Sequence, residues 1–161
     1  MHRLVHTENS VDIRGDIEEV WDLASQVERW PAILPHYRFV TVVQRQGARR
    51  IVEMAARRGR VPVRWLAVFE PQPDERRLLF EHIGGAARDM VVEWRIVRHD
   101  GFVRATIAHD LRSPYAIIRT RLGEYILGQQ FVAHIAGRTL ARIKELVEGR
   151  RSKVEGHAAS D

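Results

Sequence analysis

The chain of 161 residues contains no cysteine. That removes disulfides, thiolate nucleophiles and cysteine-ligated zinc from consideration. Lysine is almost absent as well: Lys144 and Lys153 are the whole complement, and arginine carries the rest of the positive charge behind a formal net charge of +5. No apolar run approaches the roughly 20 residues that a membrane-spanning helix needs. The opening MHRLVHTENS has no hydrophobic signal core, so a soluble, cytoplasmic protein is expected. There is no nucleotide-binding glycine loop and no Ser-His-Asp order. The arginines are scattered among Asp and Glu and alternate with apolar residues, as on a solvated sheet face. Without a compact basic motif or an aromatic platform, nucleic-acid binding is not expected.

What is present fits one domain with a sizeable core, since 45% of the residues are hydrophobic and the length is that of a single folding unit. Residues 3–14 alternate as a half-buried strand, with Val5, Thr7, Asn9, Val11 and Ile13 on one face. Asp16 is a suitable N-cap for a short amphipathic helix carrying Ile17, Val20, Trp21 and Ala24. A second short turn reaches Trp30, and Pro31 and Pro35 then stiffen a corner. Strand-like segments follow at residues 37–45, 49–58, 60–70, 76–83, 88–98 and 102–111. Asp100-Gly101 is a strong hairpin signal; a two-residue turn there pairs His99 with Phe102 and sets Met90, Val92, Trp94 and Ile96 opposite Leu111, His109, Ile107 and Ala105. Gly84-Gly85 reads as a turn.

Ser113-Pro114 opens a long amphipathic helix to about Glu148, whose stripe includes Tyr125, Ile126, Gln129, Ala136, Leu140, Ile143 and Val147. The expected class is α+β: a seven-stranded antiparallel sheet wrapped around the long C-terminal helix, with two short helices after strand 1. Residues 1–148 form the domain and 149–161, GRRSKVEGHAASD, a flexible tail.

The segments VWDLASQVERWPAILPHYRFV, VPVRWLAVFEP, MVVEWRIV and IAHDL resemble the START-like superfamily, also called SRPBCC or Bet v 1-like. Within it the chain is most similar to the polyketide cyclase/dehydrase and coenzyme Q-binding branch. The resemblance covers about residues 8–148. It implies the helix-grip fold, with a deep cavity between sheet and helix. In the aromatase/cyclase members it implies an inward-pointing Arg helped by hydroxyl groups. Aligned on Trp65, the hydroxyl position is Ala67 and the Arg position is Phe69, while the Tyr of the Trp-Pro block is retained as Tyr37. The cyclase mechanism therefore does not transfer directly.

Strand parity puts Trp65, Ala67, Phe69, Phe80, Met90 and Trp94 on the inward face. With Trp30, Tyr37, Tyr125 and Gln129 they are the expected ligand-binding residues, a mostly apolar lining with a few polar groups. His82 and His109 are the candidate catalytic residues, because imidazole transfers protons near neutral pH; the plain alternative is a histidine satisfied by a neighbouring polar group. No metal and no cofactor are expected: the two histidines lie on strands separated by a third, with no carboxylate beside them.

Three readings follow. The first is a binding protein for one hydrophobic small molecule, such as a lipid, an isoprenoid quinone or a polyketide-like aromatic. The alternative is a polyketide aromatase/cyclase or dehydratase acting in the same cavity. The third is an interaction module, whose arginines would suit peripheral contact with an anionic membrane or a protein partner. A homodimer through Leu127, Phe131 and Ile135 stays open.

Overall fold

The computed structural model describes residues 5–85, 87–111 and 122–159, with side chains in the last segment from Val132 onward. Seven strands form one antiparallel sheet in the order β1-β7-β6-β5-β4-β3-β2. They are β1 (Val5–Ile13), β2 (Tyr37–Gln46), β3 (Arg49–Arg58), β4 (Val61–Gln72), β5 (Arg77–Gly85), β6 (Met90–His99) and β7 (Phe102–Leu111). Between β1 and β2 come α1 (Ile17–Ser25), a 3-10 turn (Val27–Arg29) and α2 (Trp30–Ile33); the chain ends in α3 (Leu122–Ala158). This is the helix-grip arrangement. No helix among the described residues is long and apolar enough to cross a membrane.

Local chemistry explains the elements. The Asp16 carboxylate accepts a hydrogen bond from the Glu18 amide at 3.0 Å, capping α1, and Glu18 and Glu19 in its first turn face the positive end of the helix dipole. α1 buries Val20, Trp21, Leu23 and Ala24. The indole N–H of Trp30 donates to the Leu23 carbonyl at 3.1 Å, which fixes α2 against α1. β2 carries register shifts at Tyr37/Phe39 and Val42/Gln44, and β4 is shifted against β5 at Leu66/Ala67. Such irregularities bend and twist a strand, and the sheet curves around α3.

α3 is fastened along β1. A Cβ on Gly15 would lie 2.3 Å from Val147 Cγ1, so any larger residue here would have to displace Val147 where the helix meets the end of β1. The Lys144 ammonium donates to the Asp12 carbonyl at 2.8 Å, and the Arg14 amide donates to Glu148 at 3.0 Å. Ile135, Ala136, Leu140, Ile143 and Val147 are buried against the sheet. Ile135 thus widens the buried face and is not available for a dimer contact; the side chains of Leu127 and Phe131 lie outside the described residues.

The convex face accounts for the arginine surplus. Arg49 pairs with Glu70 at 3.1 Å, Arg77 with Glu93 at 2.8 Å, Arg95 with Glu8 at 2.6 Å and Arg104 with Asp12 at 2.8 Å; Arg64 pairs with Glu53. These are cross-strand pairs on a wet surface, each contributing little alone.

The β6–β7 hairpin has the register that its turn dictates, from Met90 opposite Leu111 to His99 opposite Phe102. Two segments differ from expectation. The stretch from residue 149, read as a flexible tail, continues α3 to Ala158, because its Arg, Lys, Glu and Ala residues favour helix and Arg151 pairs with Glu155 one turn on at 2.9 Å. Gly84-Gly85, read as a turn, belongs to β5; the turn comes after it, where Ala87 and Asp89 take positive φ of 54° and 70°.

Gly85 is nonetheless required where it stands. Its φ is +76°, and a Cβ would lie 2.5 Å from the Arg64 carbonyl oxygen and 2.9 Å from Trp65 Cα. Both obstacles are backbone and cannot rotate away. Gly85→Ala should lower stability by about 2 kcal/mol or more, from left-handed strain plus the collision, and should disturb Trp65. Urea unfolding followed by tryptophan fluorescence reads both effects.

Candidate functional site

The hairpins alternate between the two ends of the sheet, and α1 closes one end. Arg76, in the β4–β5 turn, pairs with Glu18 of α1, and Arg98, near the β6–β7 turn, lies 3.9 Å from Asp16. The opposite end carries the β3–β4 and β5–β6 turns. The concave face therefore has a floor near α1 and a far end away from it.

The floor is aromatic. Trp30 meets Tyr37 at 5.1 Å, Trp94 at 5.6 Å and Phe80 at 6.0 Å between ring centroids. Phe69 stacks on Phe80 at 4.7 Å, and Tyr37 reaches Trp65 at 6.2 Å. Register explains the grouping: Phe69 lies opposite Phe80, Phe80 opposite Val92, and Leu78 opposite Trp94. Exposure then grades along the face. Phe69 and Leu78 are 0% exposed and Trp94 3%, whereas Trp65, His82 and Met90 retain 8%, Val92 6% and His109 9%. Trp65, His82, Met90, Val92 and His109 lie toward the end of the sheet away from α1.

Of the residues singled out from sequence, Trp30, Tyr37, Trp65, Phe69, Phe80 and Trp94 form one continuous ring system. Ala67 and Met90 share their face, with Ala67 opposite His82. Tyr125 and Gln129 belong to α3, but their side chains lie outside the described residues. At the position where the resemblance puts an Arg, Phe69 is fully enclosed. The guanidinium of Arg50, its partner on β3, lies 5.5 Å from the Phe69 ring centroid and is held 3.4 Å from Glu28 in the 3-10 turn.

The two histidines have different surroundings. His82 stacks almost parallel on Trp65, 8° between planes and 5.7 Å between centroids. His109 sits opposite Val92 on one side and Thr7 on the other. Burial, followed by the nearby His82, pushes the His109 imidazole down to about 3; Asp110 opposes this and His6 adds to it. His109 is therefore neutral at ordinary pH, and its Nδ1 is buried without a hydrogen-bond partner. Among the described residues, no group of three His, Asp or Glu side chains is placed to hold a metal ion.

A polar link that the sequence did not suggest joins the α2–β2 corner to α3. Thr139 gives its hydroxyl proton to the Ile135 carbonyl at 2.8 Å, so the His36 Nε2–H donates to the Thr139 oxygen, also at 2.8 Å. Tyr37 hydrogen-bonds the same threonine, and burial raises its hydroxyl well above the usual phenol range. Burial, with Arg138 and His134 nearby, pushes His36 down to about 4. The available sequence signal was weak: Thr139 follows Ile135 by one helical turn and precedes Ile143 by another, a polar residue at a stripe position.

Residues 13–148 match the family model described as polyketide cyclase / dehydrase and lipid transport. A protein of Streptomyces halstedii described as a polyketide cyclase is 36% identical over 44 residues, 27% of this chain. That match spans only 40% of the relative's length. Among solved structures, the Zhui aromatase/cyclase from Streptomyces sp. R1128 superposes with a TM-score of 0.76 at 17% identity, covering 91% of this chain and 94% of that one. A protein of Thermus thermophilus superposes with a TM-score of 0.69 at 22% identity, covering 91% and 99%. At these identities the two structures show a shared fold.

Proposed function

The chain belongs to the polyketide cyclase / dehydrase and lipid transport family, and we propose that it binds one uncharged hydrophobic small molecule between the concave sheet and α3. The observation that carries this reading is the graded concave face. A sealed aromatic floor of Trp30, Phe69, Phe80 and Trp94 gives way to inward residues, from Trp65 to His109, that keep accessible surface. Apolar burial supplies the affinity, at about 25 cal/mol per Å² covered.

Two features favour holding a ligand over transforming it. The cation expected in a cyclase of this family is replaced by the enclosed Phe69. His109 sits at about 3, too far from neutrality to exchange protons efficiently at pH 7, since a general acid or base works best with a pKa near the operating pH.

Native mass spectrometry against diacylglycerols, isoprenoid quinones and fused-ring aromatics tests the reading. A one-to-one adduct with at least one of these classes is expected. No adduct with any of them at saturation would overturn it.

A further inference from the structure

Two buried side-chain atoms on the concave face have no hydrogen-bond partner, and they belong to one corner of the sheet. They are Asn9 Oδ1 on β1 and His109 Nδ1 on β7. Thr7 lies opposite His109 and Asn9 opposite Ile107, so Asn9 and His109 are diagonal neighbours on one face, within mutual reach of a single small group. Buried polar atoms are rarely left unpaired, because desolvation without a hydrogen bond is costly.

Among the described residues, the helix above this corner does not supply the missing partner. Gly137 faces Asn9, whose Nδ2 is 4.0 Å from where a glycine Cβ would stand. Ala133 and Ala136 flank it on α3, and Thr139 is committed to His36 and Ile135. Glycine and alanine offer no polar side chain. The inward positions next to this corner, Thr7 and Val11 on β1, Val92 and Trp94 on β6 and Ile107 and Leu111 on β7, carry no Asp, Glu, Lys or Arg, so the corner is polar without being charged.

We propose that Asn9 and His109 form the polar pole of the ligand site and recognise a hydroxyl group, phenolic or enolic, on an otherwise apolar molecule. The hydroxyl proton is donated to Asn9 Oδ1, which is acceptor only, while the hydroxyl oxygen accepts from the Nδ1–H of His109. This rests on the hydrophobic-site reading and adds a chemical criterion to it. A pocket built to pair a hydroxyl discriminates strongly against an analogue that cannot donate, because the acceptor is then left buried and unpaired.

Isothermal titration of the full chain with 1-naphthol, 1-methoxynaphthalene and naphthalene tests the assignment. The wild type should bind 1-naphthol at least about tenfold more tightly than the other two. Asn9→Leu, with Asn9→Ala as a second and smaller replacement, should bring the three affinities within about a factor of two by removing the acceptor that only 1-naphthol satisfies. Equal wild-type affinities for all three would overturn the polar pole and leave the apolar site standing, as would a naphthol preference that survives both substitutions. Absence of binding by all three would remove the site itself, and the pole with it.

Discussion

Phe69→Ala should lower the unfolding free energy by about 3–5 kcal/mol, the usual cost of emptying a fully enclosed aromatic position. Phe69 has no exposed surface. It stacks on Phe80 and lies under the Arg50 guanidinium, so its loss opens the floor at the point where β3, β4 and β5 converge. Against the roughly 5–15 kcal/mol of a typical domain, this is a large fraction. Phe69→Leu keeps most of the volume and should cost about 1–1.5 kcal/mol. Phe69→Arg restores the cation that the resemblance puts here, but it buries a charge among aromatic rings. It should destabilise at least as much as alanine and should not create cyclase activity. Chemical denaturation of the three variants checks the order. A fully stable Phe69→Arg would mean that this part of the face is open to water.

Acidification should destabilise the protein well before its surface carboxylates are protonated. In the unfolded chain each histidine titrates near 6.5; in the folded protein His109 is pushed to about 3 and His36 to about 4. Between those values the unfolded state binds protons that the folded state refuses, so stability falls as pH decreases. Above about pH 7 both states are neutral at these groups and the dependence vanishes. From about pH 7.5 to about pH 5, His109 alone should account for a loss of about 2 kcal/mol, the slope reaching its limit of about 1.4 kcal/mol per pH unit per proton only below about pH 6. His36 should add a similar or smaller amount. His109→Leu should flatten the slope by about one proton, and a second substitution, His36→Gln, should flatten it further. The test is urea denaturation at half-unit pH steps. A slope unchanged in both variants would show that the histidines are not buried as neutral groups.

The strands were legible because two independent signals agreed. Period-two alternation marked the inward face, and the Asp100-Gly101 turn fixed the register that brings Met90 opposite Leu111. The Trp30-Pro31 corner was legible for the same kind of reason: proline restricts the backbone and an aromatic residue must be buried. Turn geometry at the β5–β6 end was not legible. Ala87 and Asp89 adopt the positive φ values there, and neither residue type advertises it as glycine does. The helical course of residues 149–158 was missed because no apolar stripe marks it; propensity and ion pairs hold it. The ring system around Trp30 could be anticipated residue by residue from parity, yet which end of the face is the floor depends on where α1 closes the sheet, which is long-range. Asn9 was visible as an amide on the inward face of β1. Its meaning needed β7 beside it and Gly137 above it, contacts that no local pattern encodes. The His36–Thr139 bond joins residues 103 positions apart, beyond the reach of any sequence window.

The most direct test of the central claim is an amide NMR titration of the full chain with 1-naphthol. If a hydrophobic ligand is held between the concave sheet and α3, saturable shifts should concentrate at Trp65, His82, Met90, Val92 and His109, with the convex positions Glu53, Arg64, Glu93 and Arg95 far less affected. Shifts confined to the convex face, or none at saturating ligand, would contradict it.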